Sequence, residues 1–168
     1  RVIFGDLVPY GKVWRTGANG ATTITFADDV TIGGTKIPAG KYGLLTIPDA
    51  SEWTVIVTKQ TDVTSPAAYK QDQDVVRVKV ASQSLPFSIE NFTMLFGNIK
   101  SNKCELQMLW DNVYVALPIE TDIDTKISAQ IKSMMENDNR PYYAAAMYYM
   151  ETGKDLNQAV AWLEKASQ

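Results

Sequence analysis

Up to about Glu120, apolar residues recur with the short period of extended chain. Thr22-Thr23-Ile24-Thr25-Phe26 alternates and is β-branched. Val30-Thr31-Ile32 runs into Gly33-Gly34, a strong two-residue turn signal. Ile37-Pro38-Ala39-Gly40 is a second turn, followed by strand-like runs at 41–47 and 53–58. Val76-Arg77-Val78-Lys79-Val80 has strict period two, which predicts one apolar face and one wet face. Phe87–Phe92 and Met94–Phe96 read as further strands. Glu105–Trp110 and Val113–Leu117 flank Asp111-Asn112, which reads as a tight hairpin turn. Residues 60–74 are polar and read as a loop, with a helical turn at Pro66-Ala67-Ala68-Tyr69. Many short strands between Gly, Pro and Asn turns predict an antiparallel β-sandwich.

At Asp122 the period changes. Ile123, Ile127, Ile131 and Met134 recur at helical spacing, with Asp122 or Asp124 as the N-cap. Asn137-Asp138-Asn139 breaks that helix, Pro141 suits the first turn of the next, and Gly153 suits an αL stop. A last helix is expected from about Asp155 to Ala166. The expected fold is therefore mainly β with an α C-terminal tail: a sandwich domain over 1–120, then about three helices over 121–168. The pair at 141–167 resembles a tetratricopeptide unit, with Ala159, Leu163 and Ala166 at small, large and small positions. One unit cannot bury its own face, so it should pack on its own chain or on a protein partner.

Composition narrows the chemistry. The chain has no histidine, which removes Ser-His-Asp and Cys-His triads, HExxH zinc sites and imidazole bases. Its one cysteine, Cys104, cannot form an intrachain disulfide and reads as a small buried apolar residue. No phosphate-loop or dinucleotide fingerprint occurs, and no metal or cofactor is expected. Net charge is −3 with scattered Lys and Arg, which disfavours nucleic acid. No run of roughly 18 apolar residues exists to span a membrane. Asp72 with Asp74 offers at most a weak calcium site in a loop. Arg1–Phe4 already reads as strand and no initiator Met precedes it, so a trimmed N-terminus lacking an earlier strand is expected.

One segment is dense in side chains that make directed contacts: residues 9–22. Arg15 offers a fork of donors suited to carboxylate or phosphate, and Asn19 both donates and accepts. Trp14 could stack on a sugar, and Tyr10 stands beside them. Gly17 and Gly20 permit close backbone approach. The functional reading is a shallow site for a sugar or small anion built from Tyr10, Trp14, Arg15 and Asn19. The structural reading has Arg15 paired with a carboxylate, Asn19 tying a loop and Trp14 filling the core.

The run Leu7-Val8-Pro9-Tyr10-Gly11-Lys12-Val13-Trp14-Arg15-Thr16-Gly17-Ala18-Asn19 resembles the bacterial family called domain of unknown function 2911. The likeness continues at Pro38–Tyr42, Trp53–Ile56, Asp74–Val78 and Leu109–Val115. The resemblance implies a Bacteroidetes source and a periplasmic or extracellular location. It implies no activity. The family often carries an acid where this chain has Gly20, so an acid–base role there does not transfer. The combined reading is a non-catalytic exported binding or interaction domain. The alternatives are a sugar or anion binder at 14–19 and a histidine-free hydrolase or lyase using carboxylates and tyrosine.

Overall fold

The computed structural model describes residues 2–135 and 141–167. The chain divides into two compact units, Arg1–Thr121 and Asp122–Gln168. The first is an antiparallel sheet of seven strands: β1 Thr23–Phe26, β2 Val30–Ile32, β3 Thr35–Ile37, β4 Gly40–Ile47, β5 Glu52–Thr58, β6 Asp74–Gly97 and β7 Lys103–Thr121. Their order is β1-β4-β5-β6-β7-β2-β3, and the sheet does not close.

The strand β6 belongs to both halves. Residues 74–81 pair with β5, while 82–97 pair with β7. Its start keeps the alternation read in the sequence: Val76 and Val80 are buried, and Lys79 reaches outward to Glu52 at 2.8 Å. One interior then gathers Leu44, Trp53, Val55 and Val57 from the first half with Ile32, Ile37, Met108, Val115 and Leu117 from the second. The sheet therefore curls over its own apolar face, which is the enclosed core the alternation requires. A smaller cluster of Leu45, Ile56 and Val63 lies apart from it, with Val13, Ile47 and Tyr69 packed on it. Leu45 and Ile56 alternate with core residues along β4 and β5, so they face the opposite side of the sheet.

Gly33 and Gly34 both take positive φ, as a two-residue hairpin between β2 and β3 needs. Three expectations change. Residues 2–8 are not a strand: Gly5 at φ 93° reverses the chain, and its N–H bonds the Val8 carbonyl at 2.9 Å. Phe4 serves as a core plug instead, edge-on to Trp53 with centroids 5.1 Å apart. Asp111-Asn112 is not a hairpin turn. The chain runs on through β7 there, and the β6–β7 register shifts on either side of the Ile89–Asp111 pair. Leu106 and Met108 precede that point, Val115 and Leu117 follow it, and all four face one core, so the side-chain parity must flip. The positive φ of Asp111 supplies the flip as a bulge. Finally, the separate strands expected at 87–92 and 94–96 are parts of β6, and the turn into β7 comes at 98–102.

In the second unit, α1 spans Ile123–Met135, α2 Tyr142–Glu151 and α3 Leu156–Ala166. Asp122 accepts from the Thr125 N–H, and Asp155 accepts from the Asn157 and Gln158 N–H groups, so both acids cap. Gly153 takes the αL geometry at φ 67°. The break expected at Asn137-Asp138-Asn139 lies outside the described residues. Helices α2 and α3 pack through Ala145, Ala146 and Ala159, with Tyr149 edge-on to Trp162 at 4.8 Å. Asp124 accepts from Lys154 Nζ at 2.7 Å and from the Tyr148 hydroxyl; the lysine bond, then the phenol, holds its carboxyl below the usual range. No helix among the described residues is long and apolar enough to cross a membrane.

Backbone crowding makes a sharp test. A Cβ added at Gly43 of β4 would lie 2.0 Å from the Gln60 carbonyl oxygen, whereas one at Gly20 meets nothing within 4 Å. Gly43→Ala is expected to cost roughly 2–4 kcal/mol in urea unfolding, and Gly20→Ala less than about 0.5 kcal/mol. Equal stabilities would refute this packing.

Candidate functional site

The segment 14–22 is fastened to β4 before it can form anything else. Trp14 and Thr46 exchange backbone bonds of 2.7 and 3.0 Å on the edge of β4 that β1 uses further along. Thr16 is fully buried at φ 56°, and its hydroxyl donates to the Thr46 hydroxyl at 3.1 Å. The Thr22 hydroxyl donates back to the Thr16 carbonyl at 3.0 Å. Gly17 is required there, because a Cβ would fall 2.9 Å from that same hydroxyl. This cross-bracing sends the Trp14 side chain toward the main core and Arg15 toward the opposite face, as alternation demands.

Trp14 is half-buried and heads an aromatic group. It lies nearly parallel to Trp110 with centroids 6.1 Å apart, and takes Phe92 edge-on at 4.9 Å. The Trp110 indole N–H donates to the Glu90 carbonyl at 3.0 Å, which fixes that ring. Leu7, Val8, Trp14, Arg15, Gly17, Ala18, Phe92 and Trp110 line a cleft of about 510 Å³. A smaller cleft of about 250 Å³, lined by Lys12, Val13, Thr64 and Pro66, shares Leu7, Val8, Trp14 and Arg15 with it. Arg15 thus stands on the boundary between two hollows. Its Nη1 donates to the Thr64 carbonyl at 2.8 Å, while its buried Nε has no hydrogen-bond partner. Among the described residues no carboxylate pairs with it.

The structure brings Trp14 and Arg15 to one cleft. Tyr10 is exposed, with its ring over Gly5, and does not line it. Asn19 is exposed at φ 66° and follows Ala18, the last lining residue of that segment. Sequence reading missed Phe92 and Trp110 as cleft residues. Their strand period shows an inward face, but only the folded chain sets their rings beside Trp14. A larger hollow of about 630 Å³ lies between Gly33-Gly34, Val78–Ala81 and Pro118. It has no aromatic wall, and its one lysine, Lys79, is held by Glu52.

Beneath the 59–73 connection, Asp74 is turned inward. Its Oδ2 accepts from the Tyr69 hydroxyl at 2.5 Å and from Arg77 Nη1 at 3.0 Å, and Arg77 also donates to the Tyr69 oxygen at 2.6 Å. Asp72 stays exposed on a 3-10 turn. The calcium pairing of Asp72 with Asp74 is therefore replaced by an ion pair: Arg77 already neutralises Asp74. No group of three or more metal-binding side chains occurs among the described residues. Cys104 is a half-buried free thiol on β7 against the core.

An open, coiled antiparallel β domain with an aromatic cleft and one unpaired arginine edge is the class that fold and site define. The chain belongs to the family described as Protein of unknown function (DUF2911), whose model matches residues 1–119. No curated protein and no solved structure matches it.

The Tyr69 cluster gives a pH test. Burial first, then the hydrogen bond to Asp74 and its charge, pushes the Tyr69 phenol from 10.0 up to about 12. The folded state thus holds this proton more tightly, so the contribution is complete below pH 10 and fades as pH rises toward 12. Tyr69→Phe should lose roughly 1–2 kcal/mol at neutral pH, and the gap to wild type should narrow across that alkaline window. A gap that widens there in denaturant titrations contradicts the assignment.

Proposed function

We propose that this is a non-catalytic, exported binding domain whose cleft beside Trp14 takes a sugar-like ligand. The observation that carries the reading is a cleft lined by three aromatic side chains with Arg15, whose buried Nε has no partner, at its boundary. Aromatic faces suit the apolar face of a sugar ring, and a few polar groups then fix its orientation. A volume near 510 Å³ falls in the range of small-molecule sites. Among the lining residues Arg15 alone is titratable, so no base or nucleophile faces a bound ligand. This supports binding over the hydrolase and lyase reading, which needs two converging acids. Asn19 is assigned to the rim, where its amide can follow a ligand's hydroxyls. Tyr10 is assigned to bracing the turn at Gly5. The exported location rests on the resemblance alone.

A second reading applies to the helices. Tyr143, Leu156 and Val160 are exposed on α2 and α3 at 64%, 58% and 53%. That apolar surface supports a protein partner for a tetratricopeptide-like pair, independent of the cleft.

Trp14 packs in the core, so its removal would confuse folding with binding. Ala18 is exposed and lines the cleft, which makes Ala18→Trp the cleaner variant. Neutral and acidic oligosaccharides should change tryptophan fluorescence in the wild type and not in Ala18→Trp, at unchanged thermal stability. Absence of any sugar response, or undiminished binding by Ala18→Trp, would overturn the reading.

A further inference from the structure

We propose that the ligand of this cleft carries a carboxylate, as an acidic sugar does, and that Arg15 reads it through its Nε–Nη2 edge. The proposal rests on the cleft reading and adds the chemical class. A guanidinium presents two parallel N–H bonds along that edge, matched to the two oxygens of a carboxylate. In this chain the remaining nitrogen is already spent: Nη1 holds the Thr64 carbonyl at 2.8 Å. That bond fixes the plane of the group and anchors the 59–73 connection. It leaves the side-on edge as the free one, and Nε is buried with no partner. A buried donor without an acceptor is unfavourable, so a ligand oxygen that satisfies it gains more than one meeting a hydrated donor.

The surrounding charge agrees. The chain carries a net charge of −3, yet no acidic side chain lines either cleft that meets at Arg15. Lys12 adds a second cation on the side of the smaller cleft. The site is a local positive patch with aromatic walls on a negative protein, which selects anions that also have a flat apolar face. A small inorganic anion would satisfy the edge and leave Trp14, Trp110 and Phe92 unused.

The test varies the ligand before the protein. Methyl glucuronoside, its methyl ester and methyl glucoside are titrated into the intact chain by calorimetry. The free acid is expected to bind at least about 10-fold tighter than the ester or glucoside, with the advantage shrinking as salt rises. Arg15→Lys keeps the charge but not the fork, and should erase most of that advantage, bringing the acid close to the affinity of the ester and glucoside. An unchanged thermal melt reports that the variant is folded. Equal affinity for acid, ester and glucoside overturns the carboxylate assignment and leaves the cleft reading standing. An acid preference that survives in Arg15→Lys places the carboxylate elsewhere and overturns the role of Arg15. No binding by any of the three overturns both.

Discussion

The interior of the first unit exists because one strand serves two halves of a sheet. β6 pairs with β5 along its first residues and with β7 along the rest. Apolar side chains on both halves then meet across a shared core led by Trp53, Ile37, Val115 and Leu117. Remove that passage and each half would expose its apolar face to water, at about 25 cal/mol for every Å² left uncovered. Everything described at the cleft is suspended from this arrangement. Trp14 docks on β4 of the first half, and Phe92 and Trp110 come from the part of the β6–β7 ribbon that folds over it.

The elements legible in the sequence were those fixed by local chemistry. The Gly33-Gly34 hairpin, the Val76–Val80 alternation, the cap at Asp122 and the stop at Gly153 each follow from their own few residues. The misreadings were non-local. Nothing near Asp111 distinguishes a turn from a bulge; the difference lies in whether residues 105–110 and 113–117 face each other or face one interior, and the interior is made by distant strands. Arg1–Phe4 has strand composition, but Gly5 reverses the chain and leaves Phe4 as a plug.

The candidate site was legible in half. A fork of donors beside an indole marks Arg15 and Trp14 from sequence alone, and the structure sets both at one cleft. The other half of its lining lies far along the chain, at Phe92 and Trp110, and only tertiary structure could add them. Asp74 shows the reverse. Its spacing from Asp72 suggested shared ligation, but Arg77, three residues further along the same strand, and Tyr69, from the preceding connection, meet it instead. An internal ion pair with a phenol then stabilises the connection on which the Arg15 anchor at Thr64 depends.

The pairing of β2 with β7 joins Thr31 to Glu120 and Val30 to Thr121, at the far end of the first unit. The β2–β3 hairpin therefore reaches its neighbouring strand only after almost every other residue of the sheet has been made. Until then Val30, Ile32 and Ile37 have no second layer to lie against. Such high contact order makes folding slow and nearly all-or-none. During synthesis these apolar groups stay uncovered until β7 has been made, a state that needs holding against aggregation.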